Sequence, residues 1–154
     1  MAERTEWLWE FLGFESFSEG QPTQAWFDNL PEDDRFEIVH LLSWLRVRTK
    51  HRWTLPEFDP LEGEAGISEI RVPEIRTAEG SVFYRIYGVR GTRELERSYV
   101  FLHGTDKVVK NDIEGKGIAR RRLGELTRRE ATVHPFDFEK HPGQAADEEP
   151  GGKG

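Results

Sequence analysis

The chain contains no cysteine, which excludes a disulfide framework, a thiolate zinc site and a thiol nucleophile. No run of about 18 apolar residues exists, so the sequence offers no membrane-spanning helix. The first residues, Met1-Ala-Glu-Arg-Thr-Glu-Trp7, carry two acids and no apolar segment. They do not read as a signal peptide, and the cytosol is the expected compartment. A Walker loop and a His-x-x-x-His metal pair are both missing. Gly115-x-Gly117 lies inside a predicted helix and lacks the third glycine of a dinucleotide fingerprint. Acidic pairs are common, but none has the spacing of a metal or glycosidase site. No metal and no cofactor is therefore expected.

What is present suits one domain. The 154 residues are 36% hydrophobic and 12% aromatic, with five Trp and ten Phe, which argues for a packed core. The 33% charged content and mean hydropathy of -0.71 make that core small. Residues 31–49 carry the clearest helical pattern. Ile38, Leu41, Leu42 and Leu45 recur on one stripe, acids Glu32, Asp33 and Asp34 occupy the first turn, and Arg46, Arg48, Lys50 and His51 the last. His40 and Trp44 on this helix read as partly buried packing residues. Alternation over Trp7, Trp9 and Phe11 favours a strand, with a helix over 3–12 as the other possibility. One or two helical turns are expected over 23–29. Strands are predicted at 67–72, 82–89 and 95–103, joined by turns at 77–80 and 90–93. Asn111 and Glu114 have capping-box spacing, so a helix should run from about Asp112 to Arg129. The two prolines of Leu55–Pro60 predict irregular structure. Residues 1–134 are expected to form the domain, and 135–154 an acidic, Gly/Pro-rich disordered tail.

The net charge of -7 is divided unevenly. Residues 1–66 hold 6 basic and 14 acidic side chains, giving -8; residues 67–134 hold 14 and 10, giving +4; the last twenty hold 2 and 5, giving -3. A locally basic region can bind a polyanion even in an acidic protein. Arg120, Arg121 and Arg122 on the final helix are candidate RNA-binding residues within it. Arg71 and Arg85 flank the 77–80 turn almost symmetrically. If that turn centres on Ala78, they oppose each other on one sheet face, a repulsion that either a bound phosphate or a nearby Glu69 or Glu74 would relieve. Lys107 and Lys110 precede a helix N-terminus, itself attractive to anions. With Arg85 they could stabilise charge on a scissile phosphodiester. Cleavage through the RNA 2′-OH needs a proton-transfer group, for which His103 or His134 is available.

The order of motifs resembles the RelE/HigB-type toxins of bacterial toxin–antitoxin systems, including their phage-derived relatives. The matching residues are Glu69-Ile-Arg71, Tyr84-Arg-Ile-Tyr87, Tyr99-Val-Phe-Leu-His-Gly104, then Lys107, Lys110 and the 113–126 helix. The resemblance implies an α+β, RelE-like fold: an N-terminal strand, two helices, a three-stranded antiparallel meander and a C-terminal helix. It implies a metal-independent, ribosome-dependent mRNA endonuclease, restrained by a helix-turn-helix antitoxin. Arg85 would contact the scissile phosphate, Lys107 and Lys110 would be the basic positions after the last strand, and Arg71 the preceding-strand arginine. The competing expectation is a catalytically silent protein-binding module of the same fold.

Overall fold

The computed structural model describes residues 8–91, 96–106 and 111–138. Its elements, in chain order, are β1 (Glu10–Glu15), α1 (Pro22–Asp28), α2 (Glu32–Arg46), a 3-10 turn at Lys50–Arg52, β2 (Phe58–Pro60), β3 (Ser68–Arg71), β4 (Ile75–Thr77), β5 (Gly80–Val82), β6 (Arg85–Arg90), β7 (Ser98–Thr105), α3 (Ile113–Thr127) and β8 (Thr132–Pro135). Six strands form one mixed sheet in the order β2-β3-β6-β7-β1-β8, and β4 pairs with β5 as a separate ribbon. All neighbours in the sheet are antiparallel except β1 and β7, which run parallel.

This overturns the RelE-like expectation of an N-terminal strand, two helices and a three-stranded meander before a final helix. The described residues hold eight strands, and three differences stand out. The Pro-bounded stretch expected to be irregular supplies β2, because Phe58 can bury its ring while Pro60 sits at the outer strand of the sheet, where a missing N–H is tolerated. The strand expected over 82–89 is split at Phe83 and Tyr84 into β5 and β6. The chain after α3 returns as β8 and pairs antiparallel with β1. Phe136 and Phe138 then bury beside it, so the packed domain continues past the boundary expected at Pro135.

Side-chain alternation sorts the strands into two layers of core. Phe11, Phe58, Ile70, Ile86, Tyr99 and Phe101 face α1 and α2, joined by Trp9, Trp53, Phe136 and Phe138. Leu12, Phe14, Tyr87, Val100 and Leu102 face α3, which contributes Ala119. Helix α2 forms as its pattern dictates, with Ile38, Leu42 and Leu45 fully buried and three acids in its first turn. Its other face is more open than expected: His40 is exposed and Trp44 is 39% exposed. Helix α3 begins where expected, but Asp112 is its cap in place of Asn111, accepting from the Gly115 N–H at 2.9 Å. Gly115 admits this close approach, since a Cβ there would lie 2.2 Å from the Asp112 carboxylate. No helix among the described residues is long and apolar enough to cross a membrane.

Candidate functional site

The β3–β6 register pairs Arg71 with Arg85, although the turn itself pairs Thr77 with Gly80 and so centres between Ala78 and Glu79, not on Ala78. Two like charges opposed on a sheet face need a counter-charge. Glu69 supplies it. Its carboxylate is 2% exposed, accepts from Arg71 Nε at 2.5 Å and lies 3.6 Å from an Arg85 terminal nitrogen. Asp59 on β2 takes the other side of Arg71 at 2.6 Å. The Glu69 hydrogen bond, more than the other influences, raises the Arg71 pKa. Arg71 therefore has Nε and one terminal nitrogen committed to acids, whereas among the described residues no hydrogen bond occupies the Arg85 fork. Among the described residues Arg85 keeps only the longer ionic contact, and its side chain is 21% exposed.

His103 joins this face through a break in the β7 pattern. Tyr99 and Phe101 point to the α1/α2 layer, and strict alternation would send His103 there too. The β6–β7 register skips a residue: Tyr87 pairs with His103, but Gly88 pairs with Phe101. Leu102 is the extra residue of a β-bulge, and such bulges re-aim side chains. Leu102 and His103 consequently both serve the α3 side, and Gly104 falls against Trp26 of α1. The His103 and Tyr87 rings lie parallel, 2° apart, with centroids separated by 6.2 Å. Tyr87 donates from its hydroxyl to Asp112 at 2.9 Å, tying the sheet to the start of α3. Burial first, and the Asp112 hydrogen bond second, push the Tyr87 pKa up. Burial, followed by the positive Arg122, pushes the His103 pKa below its ordinary 6.5. The imidazole is neutral at pH 7 and able to accept a proton.

The remaining expected residues divide. Lys107 and Lys110 lie outside the described residues. Arg120, Arg121 and Arg122 do not form an open cationic surface. Arg120 is bidentate to Glu64 at 2.8 and 3.1 Å, and Arg121 bonds Glu19 and Glu125. Arg122 is buried; it bonds Glu19 at 3.0 Å and the Leu102 carbonyl at 2.7 Å, beneath the Phe14 ring. They brace α3 against the loops before it, and acids nearby in space, invisible in sequence, neutralise them. His134 lies on β8 with its ring over Gly13, away from Arg85, and its Nδ1 meets the Pro135 carbonyl at 2.8 Å. It is not part of the site. Sequence reasoning did not assign Tyr87 or Asp112. Tyr87 shares β6 parity with Arg85, which was the one available signal; the Asp112 contact is long-range and left none.

The resulting site is a row of Glu69, Tyr87 and His103 across three adjacent strands, flanked by the Arg71–Arg85 pair and closed by Asp112. The described residues hold no group of three or more His, Asp or Glu placed to bind a metal ion. Comparison with protein-family models, curated proteins and solved structures finds no match.

Proposed function

We propose that this sheet face binds an RNA phosphodiester and cleaves it by transfer to the neighbouring 2′-hydroxyl. One observation carries the reading: Arg85, whose fork makes no hydrogen bond among the described residues, shares a face with a neutral imidazole. His103 opposes Tyr87, and Arg85 is two residues along β6, so the two lie on a strand diagonal of roughly 7–8 Å. That spacing suits a phosphate held by the guanidinium and a ribose hydroxyl presented to the ring.

His103 removes the 2′-OH proton, the 2′-oxygen attacks phosphorus, and the P–O5′ bond breaks. The products are a 2′,3′-cyclic phosphate and a 5′-hydroxyl that takes its proton from water; the proton held by His103 passes to solvent. Arg85 stabilises the charge that builds on the phosphoryl oxygens. Glu69 and Arg71 are positioning residues that hold the Arg85 strand and its charge in place. In the toxin setting implied by the Tyr84–Tyr87 and Tyr99–Gly104 motifs, the substrate is mRNA on the ribosome and the restraining partner is a helix-turn-helix antitoxin.

A second reading is favoured by a different observation. The outward face of α2 presents Phe36, 68% exposed, and Trp44, while the α3 arginines are neutralised by Glu19, Glu64 and Glu125. A protein-binding module without catalysis would look like this.

The deciding assay incubates the full chain with labelled mRNA on translating ribosomes and with naked RNA. The nuclease reading expects cleavage that falls at least tenfold in Arg85→Ala and in His103→Ala, and that stops when the scissile ribose is 2′-deoxy. Cleavage indifferent to all three changes refutes the site. No cleavage of either substrate by the folded native chain leaves the binding-module reading in its place.

A further inference from the structure

Arg90 ends β6 on the sheet face opposite Arg85, within the α1/α2 layer. Its guanidinium carbon lies 5.2 Å from the Phe58 ring centroid, 5.6 Å from Trp9 and 5.8 Å from Trp53. Those rings are almost wholly buried and two of them are fixed in orientation. The Trp9 indole N–H donates to the Arg48 carbonyl at 2.8 Å, and that of Trp53 to the Leu45 carbonyl at 3.0 Å. The cage is thus anchored to the end of α2.

The cation inside this cage has no counter-ion among the described residues. Among the described residues no carboxylate forms an ion pair with Arg90, and its Nε is buried without an acceptor. Burial is the main cause of a lowered Arg90 pKa, with an electrostatic interaction with Tyr99 opposing it. Aromatic faces offset part of the desolvation of a guanidinium, but they accept none of its hydrogen bonds. The terminal nitrogens are not among the buried atoms lacking partners, nor do they bond to any described group. The residue as a whole is half-buried. A half-buried planar fork whose donors have no described partner is suited to bidentate recognition of an oxyanion.

We infer that Arg90 is the recognition point of a second site, which takes a single small oxyanion, a carboxylate or a phosphate, end-on against the guanidinium. It is separate from the phosphodiester site, since β6 alternation puts Arg85 and Arg90 on opposite faces, and it stands whether or not the chain cleaves RNA.

The test titrates the full chain with inorganic phosphate and, separately, with acetate, each at constant ionic strength held with chloride. Tryptophan emission reports the cage through Trp9 and Trp53, and the Arg90 Nε–H resonance reports the fork itself. The expected result is a saturable change in both signals with at least one anion. It should weaken tenfold or more in Arg90→Lys, which keeps charge but loses the fork, and vanish in Arg90→Met. Saturation by phosphate alone assigns a phosphate ligand, and by acetate alone a carboxylate. A linear, unsaturated response to both anions overturns the inference, as does an unchanged response in Arg90→Lys. Should Arg90→Met fail to fold, the native resonance and the Lys variant decide the matter alone.

Discussion

Replacing Phe136 with Ala should cost about 3–5 kcal/mol, the range for deleting a buried aromatic. The structure supports the upper part of that range. Phe136 is 7% exposed and packs edge-on against Phe101 at 4.7 Å and Phe27 at 5.6 Å. Each such pair adds roughly 0.5–1.5 kcal/mol beyond burial. Phe138 meets Phe11 edge-on at 5.8 Å and lies 4.9 Å from the Arg46 guanidinium, so Phe138→Ala should cost slightly less. Stopping the chain after Pro135 removes both rings. It also removes the Phe136 N–H bond to the Phe11 carbonyl and the paired bonds between Gln24 and the Asp137 backbone. The summed loss, upward of about 6 kcal/mol, rivals the whole stability of an ordinary domain, about 5–15 kcal/mol. Urea denaturation followed by near-ultraviolet circular dichroism is the assay. The expected series is a large midpoint fall for Phe136→Ala, a melting temperature lower by roughly 10–15 °C, and little or no cooperative transition for the 1–135 chain. A loss below about 1 kcal/mol in the truncated chain, the size of an average point substitution, would refute the placement of these rings in the core.

Three further outcomes follow from contacts described above. His103 has a lowered pKa in the folded protein, so the unfolded chain binds the extra proton more readily; stability from this group is present above pH 6.5 and is lost as pH falls through the lowered folded value. Denaturant midpoints at several pH values should show that dependence in the native chain and a weaker one in His103→Gln. Arg122→Met leaves Glu19 without its main partner and the Leu102 carbonyl without a donor, an expected loss of about 3 kcal/mol; a cycle with Glu19→Gln should give a double variant less destabilised than the sum of the singles. Gly88→Ala would place a Cβ 2.4 Å from the Tyr99 ring and 2.5 Å from the Val100 carbonyl, so overpacking of about 1–3 kcal/mol is expected in thermal melts.

Legibility in the sequence tracked the range of the interaction involved. Helix α2 was readable because the Ile38–Leu45 stripe and the acidic first turn are local signals. The Arg71–Arg85 pairing was expected from a turn centred on Ala78, but the ribbon centres between Ala78 and Glu79, and a one-residue shift between it and the β3–β6 pair, which no local signal announces, sets the two arginines opposite each other. Other features depend on partners far along the chain. Glu69 relieving that pair was one of the stated alternatives, but its choice over a ligand needed the register. Phe136 and Phe138, set among polar residues, carry no periodicity that distinguishes core from tail. Arg120 to Arg122 looked like an open basic run because Glu19 and Glu64 lie some 56–103 positions away. Phe83 and Tyr84 have strand-like composition, yet the Tyr84 hydroxyl donates to Asp34 of α2 at 2.5 Å, a contact made where the chain leaves one strand and enters the next.

The Leu102 bulge divides β7 into two stretches of opposite parity. Before it, odd-numbered residues belong to the aromatic layer under α1 and α2; after it, even-numbered residues do. The first stretch can therefore be selected for packing and the second for chemistry, with the extra residue as the joint between them. A chain one residue shorter between Phe101 and His103 would restore a single parity along the whole strand. His103 would keep its place opposite Tyr87, because Phe101 already pairs with Gly88 and the next residue along β7 faces α3, and Gly104 would stay beneath Trp26. Such a deletion would take Leu102 out of the α3 layer and leave the imidazole in the site, so the bulge lets β7 carry both Leu102 and His103 on one face.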